Sequence, residues 1–250
     1  MSHIQYREAR TGDVLLFSGW SLGSFCIRAA TCSDWNHSGI AVWLNTDLGR
    51  KLYVFEAASV NDEFCAIMND MGRGCRLVNI DQIIHNYRKV GVRKIRVKRD
   101  KLFHEKLKEF IEEHKNREFP SNALKFAMVI ATSGIINRPR GSEEKMLCSQ
   151  VCASWLGHIG VIPSYISDAY PHHRATPACF GNDRAYPASL FDGPVRIIHD
   201  DGVDGTVRTA AVAVQLCSLF LYILLTVEDE KRYRGGHRRR NRNIQSQLST

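Results

Sequence analysis

The chain has 250 residues, of which 44% are hydrophobic. This length can bury one full core, so we expect one domain with an appendage rather than two equal domains. The net charge of +8 is concentrated at residues 228–250, which hold seven basic and three acidic side chains, and this argues against a main domain that binds nucleic acid.

The amino-terminal part of the chain alternates between strand-like and helix-like patterns. Residues 13–17 are predicted to form a short buried strand after a turn, and residues 20–31 a short helix. A second strand is predicted at 36–42, where His37 stands near the start of an apolar run. A third follows at 52–57.

Two further strands are predicted before the first long helix. The first covers residues 76–80. The second covers residues 91–97, where Val92, Ile95 and Val97 alternate with basic residues as in an edge or half-exposed strand.

An amphipathic helix is predicted next, with Asp100 as its cap and its end near Lys115. Spacings of three and four residues put one apolar face toward the core. The residues of this face are Leu102, Phe103, Leu107, Phe110 and Ile111.

The following segment is predicted to hold two more helices. Ser121 can cap a mostly apolar helix that extends to about residue 132, and residues 137–145 read as a loop. Residues 148–159 read as a helix that ends at Gly160, with Val151, Trp155 and Leu156 directed inward. A long irregular cover is predicted at 163–192, with a closing strand at 195–198.

The carboxyl-terminal region is predicted to leave the domain, which ends near residue 199. Residues 200–209 form a polar linker, and residues 210–227 run without a charge, enough for a hydrophobic helix of about 27 Å that could cross a bilayer. Residues 228–250 form a basic, disordered tail.

The uncharged run predicts association with a membrane. However, the basic residues after it would prefer the cytoplasmic side, whereas a tail anchor with a cytosolic domain would place them across the membrane. The alternative is a helix that lies in a protein assembly. The basic tail could then contact the phosphates of anionic lipid or nucleic acid.

The eight cysteines include no Cys-x-x-Cys pair, and the amino end carries no apolar signal segment. We therefore expect free thiols and a main domain in a reducing compartment. No metal or cofactor is expected. His172, His173 and Cys179 match no common zinc spacing, and the calcium-like run at 199–205 would need a carboxylate where Ala211 stands.

Cys148 and His37 are the candidate catalytic pair. A thiol at a helix start meets the positive end of the helix dipole and loses its proton more easily, and a histidine held at a strand edge can take that proton. In a chain with eight cysteines and ten histidines most are structural, so the combination carries the prediction rather than either residue. The backbone N–H groups of Cys148 and Ser149 are candidates for stabilising an oxyanion.

Glu56 is the candidate third member, which would hold the histidine ring in the correct tautomer. Period-two alternation places Glu56 and Val54 on one strand face, and pairing with the His37 strand would bring the carboxylate to the imidazole. The alternative is a solvated residue on an exposed face.

Two further groups of residues have a structural interpretation that we favour. Cys152, one helical turn from Cys148, is interpreted as a buried helix-face residue rather than a redox partner. Trp20, Trp35 and Trp155 could line an acyl pocket, but a core position is favoured.

Five short motifs occur in an order that resembles the permuted papain-like branch of the NlpC superfamily, which includes YiiX-like, poxvirus and lecithin retinol acyltransferase-like proteins. The resemblance covers roughly residues 10 to 198. The motifs lie at residues 12–17, 36–42, 55–57, 147–150 and 186–191.

This resemblance implies an α+β fold over residues 1–199, with a small antiparallel barrel-like sheet packed against the cysteine-bearing helix. It also implies Cys148 as nucleophile, His37 as base and Glu56 as the orienting residue. The resulting hypothesis is a membrane-associated cysteine hydrolase or acyl transferase that acts on an amide or ester bond of a peptide or lipid. One alternative is a catalytically silent scaffold protein of a large-DNA-virus particle, a virion setting that the poxvirus relatives suggest. Another is a nucleic-acid-binding protein that acts through the tail.

Overall fold

The structure is a computed structural model that describes residues 6–58, 65–66, 74–119, 146–169, 171–172, 175–181 and 186–201. These residues belong to the first of two compact units, 1–203 and 204–250. The predicted helix at 121–132, the loop at 137–145, most of the linker, the hydrophobic helix at 210–227 and the basic tail lie outside the described residues. None of the helices in the described ranges has the length and hydropathy that a bilayer crossing requires.

Six antiparallel strands form one sheet. Its order is β4-β3-β2-β1-β5-β6, so β4 and β6 are its two edges. The strands are β1 (Val14–Gly19), β2 (His37–Thr46), β3 (Gly49–Ala58), β4 (Gly74–Asn79), β5 (Tyr87–Arg93) and β6 (Arg196–Asp200).

Helices pack against this sheet, so the fold belongs to the α+β class, as the sequence predicted. The helices are α1 (Leu22–Thr31), α2 (Ile80–Ile83), α3 (Lys101–His114), α4 (Cys148–His158), α5 (Ser164–Ala169) and α6 (Ala178–Gly181), with single 3-10 turns at Tyr6–Glu8, Ile84–Asn86 and Ala188–Leu190.

The sheet buries apolar side chains on both faces, because alternate residues of each strand point to opposite sides. Leu16 and Phe55 belong to a core cluster that also holds Trp155 of α4. Phe17 and Val54 belong to a second cluster on the other face. The alternation predicted for 53–56 is therefore observed, and it fixes the face to which Glu56 belongs.

Helices α3 and α4 begin and end close to their predicted limits. The Asp100 side chain caps α3 by accepting a hydrogen bond from the Phe103 N–H at 3.1 Å. Phe103, Leu107 and Phe110 are buried, but the prediction for Leu102 is wrong, because its side chain is 59% exposed. Leu102 lies beside the buried face of α3 that Phe103, Leu107 and Phe110 form, and not on that face.

The strand predicted at 91–97 is displaced in the structure. β5 ends at Arg93, because the Ile95 N–H donates to the buried Asp13 carboxylate at 3.0 Å instead of continuing the β1 ladder. Ile95 forms only an isolated bridge with Phe191. The edge position was also wrong, since β5 pairs with both β1 and β6.

Two segments contain helices that the sequence did not predict. Ile80 was expected to end a strand but begins α2, because the Asn79 side chain accepts from the Asp81 N–H and caps the turn. The segment 163–192, expected to be an irregular cover, contains α5 and α6.

Candidate active site

Cys148 is the first residue of α4, where the backbone turns from an extended to a helical conformation. Leu147 is extended, and its N–H donates to the Gln150 side-chain oxygen at 2.9 Å. The first intrahelical bond joins the Val151 N–H to the Leu147 carbonyl at 3.0 Å. The N–H groups of the first turn have no carbonyl acceptor within the helix. They therefore give the helix start a positive potential beside the sulfur.

His37 is the first residue of β2 and pairs with Phe17 of β1. Its ring packs against the rings of Phe17 and Tyr87, with centroid separations of 5.5 Å and 6.1 Å. The side chain is 13% exposed, so most of the ring is held in place while one part remains accessible.

Glu56 of β3 reaches the histidine as the sequence analysis expected. The His37 Nε2 and Glu56 Oε2 atoms are 2.6 Å apart. Gly39 allows this approach, because a Cβ at that position would lie 2.4 Å from the Val54 side chain and 3.3 Å from the Glu56 Cβ.

Cys148 and His37 line the same cleft. Interaction with the His37 side chain and with the Ser38 backbone lowers the pKa of the Cys148 thiol. Because Nε2 is engaged by Glu56, Nδ1 is the ring nitrogen left for the sulfur. The structure thus brings Cys148, His37 and Glu56 together in one series, in which His37 hydrogen-bonds Glu56 and interacts electrostatically with the Cys148 thiol.

Arg76 of β4 extends this series and was missed as a site residue by the sequence analysis. Its Nε and Nη2 atoms lie 3.1 Å and 2.8 Å from Glu56 Oε1. Glu56 and Arg76 are directly paired across β3 and β4. The signal was present in the sequence: an arginine two residues before Val78 shares a buried strand face and needs an anion there.

The charges of these groups shift one another's pKa. Burial raises the pKa of Glu56, but the attraction of His37 and Arg76 outweighs it and lowers the pKa to about 2. Burial lowers the pKa of His37, yet the Cys148 thiolate and the Glu56 carboxylate raise it to about 10. Burial raises the pKa of the Cys148 thiol, but His37 and the Ser38 backbone together lower it by more, so it lies below its ordinary value. The favoured state is a thiolate paired with an imidazolium.

Cys152 differs from Cys148 although the two thiols are one helical turn apart. It is fully buried, and desolvation raises its pKa far above the ordinary range. Its interpretation as a buried helix-face residue agrees with this environment. Within the described residues, Cys32, Cys65, Cys75, Cys148, Cys152 and Cys179 are free thiols.

The series of polar groups opens into a cleft of about 530 Å³. Trp35 and Trp155 belong to the core, as favoured, whereas Trp20 lines the cleft. The lining combines aromatic and polar side chains around the Cys148 sulfur, among them Trp20, Tyr87, Phe119, Ser21, Gln82 and Cys148. A substrate with both an apolar and a hydrogen-bonding part would find partners here.

Among the described residues, no group of three or more His, Cys, Asp or Glu side chains could hold a metal ion. Cys179, one of the residues considered for zinc, instead accepts a hydrogen bond from the Thr176 N–H at 3.3 Å.

No protein-family model matches this sequence, and no curated protein matches it. Among solved structures, the chain is similar to the metalloprotein yiiX from Escherichia coli O157:H7, with 17% sequence identity and a TM-score of 0.46. The similarity covers 77% of this chain and 97% of that chain. At this level of similarity, the candidate site rests on its own geometry.

Proposed function

We propose that this protein is a cysteine hydrolase or acyl transferase in which Cys148 is the nucleophile, His37 the general base and acid, and Glu56 the orienting carboxylate. The observation that carries the proposal is the series from the Cys148 sulfur through His37 to Glu56 at the wall of a cleft, in which Glu56 hydrogen-bonds the imidazole and the imidazole lowers the pKa of the thiol. A thiol, a base and an orienting group within hydrogen-bond reach form the constellation that nucleophilic catalysis requires.

In the first half of the reaction, the Cys148 thiolate attacks the carbonyl carbon of an amide or ester, and a C–S bond forms. The backbone N–H groups of Cys148 and Ser149 stabilise the oxyanion at the helix start. The His37 imidazolium then gives its Nδ1 proton to the leaving amine or alcohol, the C–N or C–O bond breaks, and a thioester remains.

In the second half, His37 removes a proton from water or from an acceptor alcohol or amine. The resulting nucleophile attacks the thioester, the C–S bond breaks, and the thiolate is restored. Glu56 holds the Nε2–H throughout, so Nδ1 alone exchanges protons with the reacting groups.

We further propose that the substrate is a peptide or a lipid, and that the fold is a permuted papain-like arrangement. Support for this arrangement comes from the chain order, in which the strand of His37 precedes the helix of Cys148. The proposed function needs no metal or cofactor. The uncharged segment 210–227 would bring the enzyme to a membrane, and the basic tail would contact anionic lipid or nucleic acid.

An acyl-thioester trapping experiment tests the catalytic proposal. Full-length protein is mixed with an activated acyl ester, quenched in acid, and analysed by mass spectrometry for an acyl group on Cys148. We expect a thioester at Cys148, its absence in Cys148→Ser, and a rate lower by at least about 100-fold in His37→Ala.

Cys152→Ser is the matched control, because it alters a neutral thiol on the same helix and leaves the proposed nucleophile in place. Acylation of His37→Ala at the wild-type rate would contradict the pairing of base and thiol. A folded wild-type protein whose Cys148 stays unmodified would instead favour the scaffold function in a virus particle.

A further inference from the structure

Arg76 occupies a place in the site that the proposed mechanism does not use. It lies on β4 directly opposite Glu56, and both residues are almost completely buried. A buried arginine is costly, even on an edge strand such as β4, unless it meets an anion in good geometry. The question is what its presence does for the carboxylate.

The two carboxylate oxygens of Glu56 have separate partners. Arg76 directs both Nε and Nη2 at Oε1, whereas His37 Nε2 lies 2.6 Å from Oε2. Two hydrogen bonds on one oxygen restrict rotation of the carboxylate about its last side-chain bond. The other oxygen is therefore held toward the imidazole.

We infer that Arg76 is a positioning residue that fixes Glu56 against His37 and thereby sets the lower pH limit at which Cys148 is nucleophilic. The inference rests on the proposed function, because it concerns the reactivity of the same thiol. It adds a fourth residue that does not touch the substrate but acts through Glu56.

The charged and titratable groups around Glu56 explain the effect. They are His37 from β2, Arg76 from β4, and Cys148 and Cys152 from α4. Without Arg76, the thiolate and the carboxylate would share His37 as their remaining cation in this set. Two buried anions with one cation favour uptake of a proton, and the carboxylate is a group that can take it.

Protonation of Glu56 would remove the anion that supports the imidazolium. His37 would then hold its second proton less tightly, and the Cys148 thiol would retain its own proton to higher pH. With Arg76 present, the lowered pKa of Glu56 keeps the carboxylate ionised through the mildly acidic range. Protonated Glu56 would also cease to repel the thiolate, but this repulsion is weaker than the attraction of His37. We therefore expect loss of the Arg76 charge to move the acid limb of thiol reactivity upward.

The experiment measures the alkylation rate of Cys148 by iodoacetamide between pH 4 and pH 9, with the modified peptide quantified by mass spectrometry. We expect Arg76→Gln to move the acid limb upward by at least about one pH unit. Arg76→Lys retains the cation, so its limb should stay within about half a pH unit of the wild type. The exposed Cys32 serves as the reference thiol, with the same profile in every variant.

Double variants separate action through Glu56 from a general loss of structure. In a Glu56→Gln background, Arg76→Gln should move the limb no further, because the carboxylate on which Arg76 acts is gone. Removing both partners also leaves no buried unpaired charge, so the double variant remains measurable if Arg76→Gln alone does not fold.

Three results would overturn the inference. The first is folded Arg76→Gln whose alkylation profile has its acid limb at the wild-type pH. The second is an acid limb at higher pH in the double variant than in Glu56→Gln. The third is an acid limb in Arg76→Lys that is displaced as far as that of Glu56→Gln. A Cys148 that is no more reactive than Cys32 in the wild type would refute the proposed function itself, and that outcome is distinct from the other three.

Discussion

At the scale of single residues, the site alternates anions and cations. In the favoured state Cys148 and Glu56 are negative, while His37 and Arg76 are positive, and each anion touches at least one cation. An isolated buried charge is strongly unfavourable, but an alternating series satisfies each member by its neighbours. The protein can therefore keep a thiolate in a nearly buried position.

Removal of the central carboxylate should destabilise the fold. Glu56→Gln leaves the Arg76 guanidinium buried without its anion, and we expect a loss of about 3 kcal/mol in the free energy of unfolding at pH 7. Urea denaturation followed by circular dichroism measures this loss. The control is Glu105→Gln, which removes an exposed carboxylate from a pair with Lys101 and should leave the urea midpoint unchanged. Equal midpoints for Glu56→Gln and Glu105→Gln would contradict the role of burial.

The same variant should change the acid dependence of stability. The pKa of Glu56 falls from an ordinary value of 4.5 to about 2 in the folded protein. The contribution of the ionised Glu56 to the free energy of unfolding is thus fully present above pH 4.5 and is lost as the pH falls toward 2. In that window we expect stability to decline less steeply in Glu56→Gln than in the wild type. Burial raises the pKa of Asp13, but this group is common to both proteins and cancels in the comparison.

The sequence could predict three of these four residues. Cys148 stands at a helix start and His37 at the start of a strand, and both positions follow from local pattern. Glu56 follows from alternation and from the assumption that two strands pair. Alternation with Val78 marks Arg76 as a charge on a buried strand face, but only the register between β3 and β4 shows that the anion it meets is Glu56.

At the scale of elements, the approach of β3 to β2 decides whether Glu56 reaches His37. Gly39 makes room for this approach, since any Cβ there would overlap the Val54 side chain and crowd the Phe55 carbonyl oxygen. The absence of a side chain at this position is therefore part of the construction of the site.

Gly39→Ala should disturb this strand pair. We expect a loss of more than about 1 kcal/mol in stability, as overpacking of a buried site costs, together with slower alkylation of Cys148. Thermal unfolding and the alkylation rate measure the two effects. Gly23→Ala in α1 is the matched control, because among the described side chains its Cβ would meet only the Ser21 hydroxyl, at 3.9 Å, and the added methyl should leave stability equal or higher. A Gly39→Ala protein with the stability of that control would argue against the close approach.

Elements governed by local pattern were predictable, and elements governed by distant side chains were not. Capping by Asp100 and the positive φ of Gly160 mark the limits of α3 and α4 within a few residues. The end of β5 depends on the Asp13 carboxylate, which is remote in sequence and captures the Ile95 N–H. No periodicity within residues 91–97 contains that information.

At the scale of the whole molecule, the site draws its groups from the consecutive strands β2, β3 and β4 and from α4, which follows much later in the chain. The series therefore forms only when the sheet and α4 are both in place. The cleft beside it is lined by α1 and by the turn after α2, so its shape depends on further elements.

Membrane association is the prediction that concerns the full chain. We expect the full-length protein to float with liposomes that contain anionic lipid. Leu216→Asp with Leu219→Asp should abolish flotation, because each acidic residue near the centre of a spanning helix costs about 3 kcal/mol. Leu102→Asp, a change at an exposed position of α3, is the control. Flotation that survives both substitutions in residues 210–227 would exclude this segment as the anchor.

The pairing of Cys148 with His37 also makes the thiol a reporter of the folded state. Buried cysteines ordinarily gain reactivity when a protein unfolds, because the reagent reaches them. Near pH 6, Cys148 should show the reverse behaviour, since unfolding separates it from the imidazolium and returns its pKa to the ordinary value of 9.0. The modification rate of Cys148 would then fall as denaturant is added while that of Cys152 rises, and the two rates would converge on the rate of an unfolded thiol.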